Sequence, residues 1–338
     1  MPVAFAYIRT RIARLRKQFA PANIFMFFAF RNVDLQNSKS FFNNFDFKVM
    51  IPSLFIVILM YVVHGLRWAN ISSEMNLDKS KNYVLITFLG FAVNSIVPMR
   101  MGDMFKIFIS KKYLQKEYSQ ITSTVLFAQY LDFVFVLFCF AIILLFLPEL
   151  YSDELNTNLV NQNTYIVLIM MFFVALFIVF SLPYISRILI YVKKNITLEN
   201  GSILLKILNY LLRVSETLQE LSKDYSRVFK NFCLTFLYWF LILSLFMIIA
   251  HGFDINIPIR ILIFSILLSN LASIFPLTPS SIGTFHVSLM FGLLLWTDDQ
   301  NISFVYATTV HGLIFLSNII LGVISTIILN LKLREKLY

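Results

Sequence analysis

The residues able to do chemistry fall at a few places in an otherwise apolar chain. Asn94, Arg100 and Asp103 surround the point where an apolar run stops, Val97-Pro98-Met99-Arg100-Met101-Gly102-Asp103. Gln129 and Asp132 lie inside the apolar stretch 121–147. Thr278, Ser280, Ser281 and His286 cluster within and just beyond Pro276–Gly283, and His311 sits in the last apolar run. A charge at bilayer depth costs at least ~2.5–3.5 kcal/mol, so each charged group there needs a partner or a polar cavity. A guanidinium beside backbone N–H groups freed by a helix break is suited to phosphate, which is one reading of Arg100. The other is that Arg100 and Asp103 pair at an interfacial turn. Asp132 is either an orienting group or a counter-ion between helices. His286 and His311 are proton relays or packing residues. No zinc-protease, Walker or nucleophile-elbow motif is present, and no nucleophile–base pair is evident. The expectation is therefore no enzyme, no cofactor and no metal. Cys139 and Cys233 both fall in apolar spans, which implies neither a disulfide framework nor a zinc site.

The elements that position these residues follow from composition. Of 338 residues 59% are hydrophobic and only 14% charged, and the mean hydropathy is +0.78. Apolar runs extend from residue 49 to residue 330, so the chain reads as an all-α polytopic membrane protein rather than a soluble domain with an anchor. The net charge of +10 fits cytoplasmic loops and anionic headgroups, not nucleic acid. Full spans are expected at 49–70, 121–147, 164–183, 229–250 and 302–329. A shorter piece at 19–30 would bring the total to about six. His64 and Arg67 lie near one end of the first of these full spans. Residues 201–226 carry leucines and isoleucines on one helical face and charges on the other, as an interfacial or docked helix does. Lys106, Lys111 and Lys112 read as headgroup contacts.

Loops with a basic excess (111–116, 184–228, the C-terminal tail) should be cytoplasmic, and the acidic loops 148–163 and 297–301 outside. Threading the spans on that basis puts both termini inside and makes 83–112 and 260–296 hairpins that enter from opposite faces, provided 19–30 crosses; if it does not, 83–100 crosses singly instead. Pro276, Pro279 and Gly283 break the second, and Pro98 and Gly102 the first. Asn94-Ser95-Ile96-Val97-Pro98-Met99 also resembles Ser273-Ile274-Phe275-Pro276-Leu277. The expected organisation is one transmembrane domain, 1–338, containing repeat A (49–147) and repeat B (229–329). The two are inverted and separated by the span 164–183 and the cytoplasmic amphipathic helix. Broken helices in inverted repeats are where transporters bind substrate.

The two break motifs resemble those of a flippase-like membrane family that includes the transmembrane region of lysylphosphatidylglycerol synthases. The family's first signature is matched by Asn94, Pro98, Arg100, Gly102 and Asp103. Its second is matched by Pro276, Leu277, Pro279, Ile282 and Gly283, with Ser280-Ser281 in place of Gly-Gly. Where that family has a Glu this chain has His286, and where it has an Arg in the final span this chain has His311. Gln129 replaces another Arg. The exchange of a Glu and an Arg, each for His, suggests a replaced polar pair. The resemblance implies a stand-alone translocator, since no aminoacyl-transferase domain follows within the 338 residues. The expected function is movement of an anionic phospholipid or a polyprenyl-phosphate-linked lipid across a bacterial inner membrane. The site would comprise Asn94, Arg100, Asp103, Gln129, Asp132, Thr278, Ser280, Ser281, His286 and His311. Its partner is lipid, not nucleic acid, with room for a homo-oligomer or a membrane enzyme. Two other readings stay open: a membrane-embedded transferase using a polyprenyl-phosphate sugar with Asp103 or Asp132 as base, and a non-transporting partner protein.

Overall fold

A computed structural model describes residues 33–73, 77–146, 173, 184–185, 187–194, 203–273 and 278–335. The expected segments at 19–30 and, apart from Phe173, 164–183, the loop 148–163, and Ile274, Phe275, Pro276 and Leu277 lie outside the described residues. Every described element is helical: α1 (Leu35–Asn43), α2 (Met50–Ile71), α3 (Leu77–Ile96), α4 (Met101–Leu114), α5 (Tyr118–Phe146), α6 (Ile203–Lys223), α7 (Tyr225–Gly252), α8 (Ile259–Ala272), α9 (Thr284–Leu293) and α10 (Gln300–Glu335), with short 3₁₀ turns at Phe47–Val49 and Pro279–Ser281. Four stretches are long and apolar enough to cross a bilayer: Phe47–Ile71, Tyr118–Ile143, Tyr225–Gly252 and Gln300–Asn330. They coincide with the expected spans at 49–70, 121–147, 229–250 and 302–329.

Aspartates start several of these helices by accepting backbone N–H groups that the first turn leaves without partners. Asp34 accepts from Gln36 at 2.8 Å, and Asp46 from Lys48 at 3.0 Å. Asp224 accepts from Arg227 at 3.0 Å, and Asp299 from Asn301 at 2.7 Å. Asp299 thus has the local task of beginning α10.

The described chain forms two compact units. The first comprises residues 33–57, 91–102 and 243–323. In it α8 and α9 lie side by side. A Cβ added to Gly292 would come within 2.7 Å of the Ser265 Cα, so the two backbones nearly touch. Ser265 precedes the end of α8 by about as much as Gly292 follows the start of α9, which is the register of an antiparallel hairpin. At ~1.5 Å per residue these helices are roughly 21 and 15 Å long, too short to cross a ~30 Å hydrocarbon layer singly. Phe41 and Phe45 pack on Phe253 with centroids 5.0 and 4.5 Å apart, and the Tyr306 hydroxyl donates to the Phe246 carbonyl at 2.7 Å.

The second unit comprises residues 58–90, 103–242 and 324–335. Its core joins Trp68, Tyr83, Ile86, Ile121, Val125 and Leu329. Gly65 of α2 lies so close to α3 that a Cβ there would meet the Val84 Cα at 2.6 Å. The C-terminal end of α2 meets the N-terminal ends of both α5 and α7. Lys116 donates to the Ser72 carbonyl at 2.6 Å, the Trp68 indole donates to Thr124 at 3.0 Å, and Asn70 donates to the Arg227 carbonyl at 3.4 Å. Helix α2 therefore runs antiparallel to α5 and α7. Amphipathic α6 packs on α5 through Leu208, Leu212 and Leu221, all buried. It leaves Ile203, Leu204, Ile207 and Leu211 exposed as a second apolar face.

Candidate functional site

Both helix breaks belong to the first unit, and their backbones share one form. At the first, Pro98 is followed by Met99 (φ 64°) and Arg100 (φ 51°), and then by Met101 and Gly102. At the second, Pro279 is followed by Ser280 (φ 52°) and Ser281 (φ 56°), and then by Ile282 and Gly283 (φ 89°). Each break is thus a proline followed by two consecutive left-handed residues; Gly102 then lies in the first turn of α4, whereas Gly283 caps α9 from outside with a positive φ. Among the described residues, the backbone at Pro98 is like that at Pro279. Left-handed non-glycine residues each cost roughly 1–2 kcal/mol, and four of them occupy these two turns. Ser280 and Ser281 occupy the Gly-Gly positions of the resembling family's motif, where glycine adopts this geometry without the Cβ penalty.

The side chains close the breaks from within. The Asn94 carbonyl oxygen accepts the Gly102 N–H at 2.7 Å, capping the start of the next helix across the first turn. Ser95 donates to the Phe91 carbonyl at 3.0 Å and accepts from the Asn318 amide at 2.9 Å, which ties the first break to α10. At the second break Thr278 donates to the Ile282 carbonyl at 2.8 Å and Thr284 to the Ser281 carbonyl at 3.0 Å. Thr278 and Thr284 therefore satisfy carbonyls that the missing helix would have satisfied. Arg100 is exposed at the first turn.

His286 and His311 do come together: their ring centroids are 4.9 Å apart. The His311 Nε2 lies 2.9 Å from the Ser280 carbonyl, which fixes that nitrogen as the donor. Phe285 and Phe315 flank His311, and His286 is buried with its Nδ1 lacking a hydrogen-bond partner among the described residues. His286 and His311 form a packed imidazole couple, tied through His311 to the strained turn.

The other candidates assemble in the second unit. Asp103 accepts from the Lys106 ammonium at 2.8 Å and from the Gln129 amide at 2.9 Å. Lys106 is buried, its stem lies against Gly90, and its ammonium sits 5.8 Å from the Trp68 ring centre. That is a different environment from the headgroup contact expected of it. The Gly90–Lys106 approach also puts α4 back along α3, as Gly292–Ser265 does for α9 and α8. One turn along α5 from Gln129, Asp132 takes both terminal nitrogens of Arg67. Arg67 is fully buried, donates further to Thr235 at 3.1 Å, and lies over Tyr238. Asp132 is thus the counter-ion of Arg67, spending both carboxylate oxygens on it.

Arg67, Lys106, Thr235 and Asn318 are the participants that reading residue types alone did not assign. Arg67 stands four residues before the end of its span, where a long side chain reaching to the interface accounts for it. The signal that would have found it is charge balance: a carboxylate within an apolar span, as Asp132 is, requires a cation, and Arg67 is on a neighbouring span.

No curated protein and no solved structure gave a match to this chain. The family profile described as the lysylphosphatidylglycerol synthase TM region matches residues 18–322 and so takes in both breaks, the imidazole couple and the buried ion pairs. The chain belongs to the lysylphosphatidylglycerol synthase transmembrane-region family, a membrane family with a lipid-related role.

Proposed function

We propose that this protein translocates a phosphate-bearing lipid, either an anionic phospholipid or a polyprenyl-phosphate-linked lipid, across a bacterial inner membrane. The observation that carries the reading is the matched pair of breaks, each a proline followed by two left-handed residues and a glycine. Irregular backbone at membrane depth is tolerated where it lines protein or a water-filled cavity, and paired broken helices are where transporters hold substrate. In this reading 83–112 and 260–296 are hairpins inserted from opposite faces, part of an inverted repeat with both termini cytoplasmic. The headgroup passes the breaks while the acyl chains remain in lipid.

Arg100 supplies the phosphate contact, since it is exposed at its turn and its planar guanidinium matches phosphate geometry. Asp103 acts indirectly, holding Lys106 and Gln129 at the start of α4. Asp132 keeps Arg67 neutralised within the bundle. Ser280, Ser281 and the imidazole couple give the second turn a neutral, hydrogen-bonding character. A substrate that is phosphate-bound at one turn and only hydrogen-bonded at the other can be released, as conduction requires. The chemistry of reaction needs a nucleophile or base aimed at an open site, and the described carboxylates of Asp103 and Asp132 are instead engaged by cations.

Mass spectrometry of lipids co-purified from gently solubilised protein tests the reading. Enrichment of one phosphate-bearing lipid over its membrane abundance, reduced in Arg100→Ala, is expected. A lipid profile that mirrors the bulk membrane in both proteins argues against it.

A further inference from the structure

A polar cleft of about 410 Å³ opens in the second unit where the C-terminal end of α2 meets the starts of α5 and α7 and the last turns of α6. In the proposed topology the basic flanks of these helix ends place it on the cytoplasmic side. Two cations and two acids line it: Lys116 and Arg227, Glu220 and Asp224. Both cations are already oriented. Lys116 donates to the Ser72 carbonyl at 2.6 Å. Arg227 pairs with Asp224 at 2.9 Å while its side chain stays 28% exposed. Asp224 is spent twice, on this pair and on capping α7. Glu220 is exposed on α6. A smaller recess of about 230 Å³ shares Ser73, Asp224 and Arg227 and adds Lys230.

We infer that this cleft binds a phosphate and a primary ammonium together, the two groups of a zwitterionic aminophospholipid headgroup. A purely anionic ligand would be attracted by Arg227 and Lys116 but repelled by Glu220. A purely cationic one would meet the reverse. A ligand carrying both charges a few ångströms apart satisfies all three, with the phosphate on the cations and the ammonium on Glu220. The volume falls in the range of sites that enclose a small ligand, and Ile71 and Leu221 give the cleft apolar wall on which a glycerol backbone can rest. The site lies apart from the two breaks in sequence and in chemistry, and the inference holds whether or not the lipid bound there is the one moved.

Binding by the purified full chain in maltoside micelles tests this. The probes are dihexanoyl-phosphatidylethanolamine, dihexanoyl-phosphatidylglycerol and O-phosphoethanolamine, measured by calorimetry. The ethanolamine lipid should bind about five- to tenfold more tightly than the glycerol lipid, the value of one charge-assisted contact. Glu220→Gln, on an exposed site where folding is not at risk, should erase that preference by weakening the ethanolamine lipid alone. Arg227→Gln should weaken both lipids. Competition by O-phosphoethanolamine would show that the headgroup chemistry suffices and that a soluble ligand can be the source. Its failure to compete would show that the lipid body contributes as well. Equal affinity for the two lipids in the native protein, or a preference that survives Glu220→Gln, would overturn the inference.

Discussion

Asp132→Asn is the change whose cost the structure determines best. Arg67 has no exposed surface, and both of its terminal nitrogens are bound by Asp132. Asparagine would offer one acceptor oxygen, place an amide NH₂ against the guanidinium, and leave the positive charge without a counter-ion. Breaking a buried ion pair from one side costs about 3–5 kcal/mol, a large part of a typical total of about 5–15 kcal/mol. Thr235 cannot compensate, because it is neutral and already donates to the Asn231 carbonyl at 2.8 Å. Removing both partners, as in Arg67→Met with Asp132→Leu, eliminates the desolvation penalty together with the attraction. The double variant should therefore regain most of the loss. The assay is thermal unfolding in detergent, read as the monodisperse fraction surviving each temperature. Asp132→Asn melting with the native protein, or a double variant no better than Asp132→Asn, would refute the reasoning. The double variant also separates roles: with Asp132 acting only as a counter-ion, lipid transport should survive in it.

Other substitutions follow from the breaks and close approaches. Ser280→Gly and Ser281→Gly should each stabilise by about 0.5–1 kcal/mol, because relief of the left-handed Cβ penalty exceeds the entropy that glycine adds to the unfolded chain; Ser281→Val should lower the melting temperature instead. Gly292→Val should cost about 1–3 kcal/mol or more, since the added atoms meet the Ser265 backbone, which cannot move aside as a side chain would; thermal unfolding reads this directly. Gly90→Ala should displace the flexible Lys106 stem and weaken its bond to Asp103, so that it behaves like a mild Lys106→Met in the same assay.

The spans were legible because hydropathy over some twenty residues outweighs any single polar group, and the four described spans agree with it. The existence of each break could be read from its proline and glycine, but the paired left-handed residues after Pro98 and Pro279 could not. Residue type does not encode positive φ when serine, methionine and arginine all adopt it. The hydroxyls were recognised but their work was not, since a threonine facing substrate and one bonded to its own turn look the same in sequence. The contact between His286 and His311 was foreshadowed only by the resemblance, through the exchange of a Glu and an Arg together.

The central claim, that this chain moves phosphate-bearing lipid past its two breaks, is tested most directly in sealed vesicles containing the purified protein. The measurement is the rate at which fluorescent headgroup-labelled phosphatidylglycerol, or a labelled polyprenyl phosphate, becomes accessible to a quencher on the opposite side. Acceleration of at least one of these over protein-free vesicles is expected, falling by about tenfold or more in Arg100→Ala with the fold intact. No acceleration of either lipid, or equal rates with and without the Arg100 guanidinium, would contradict the claim.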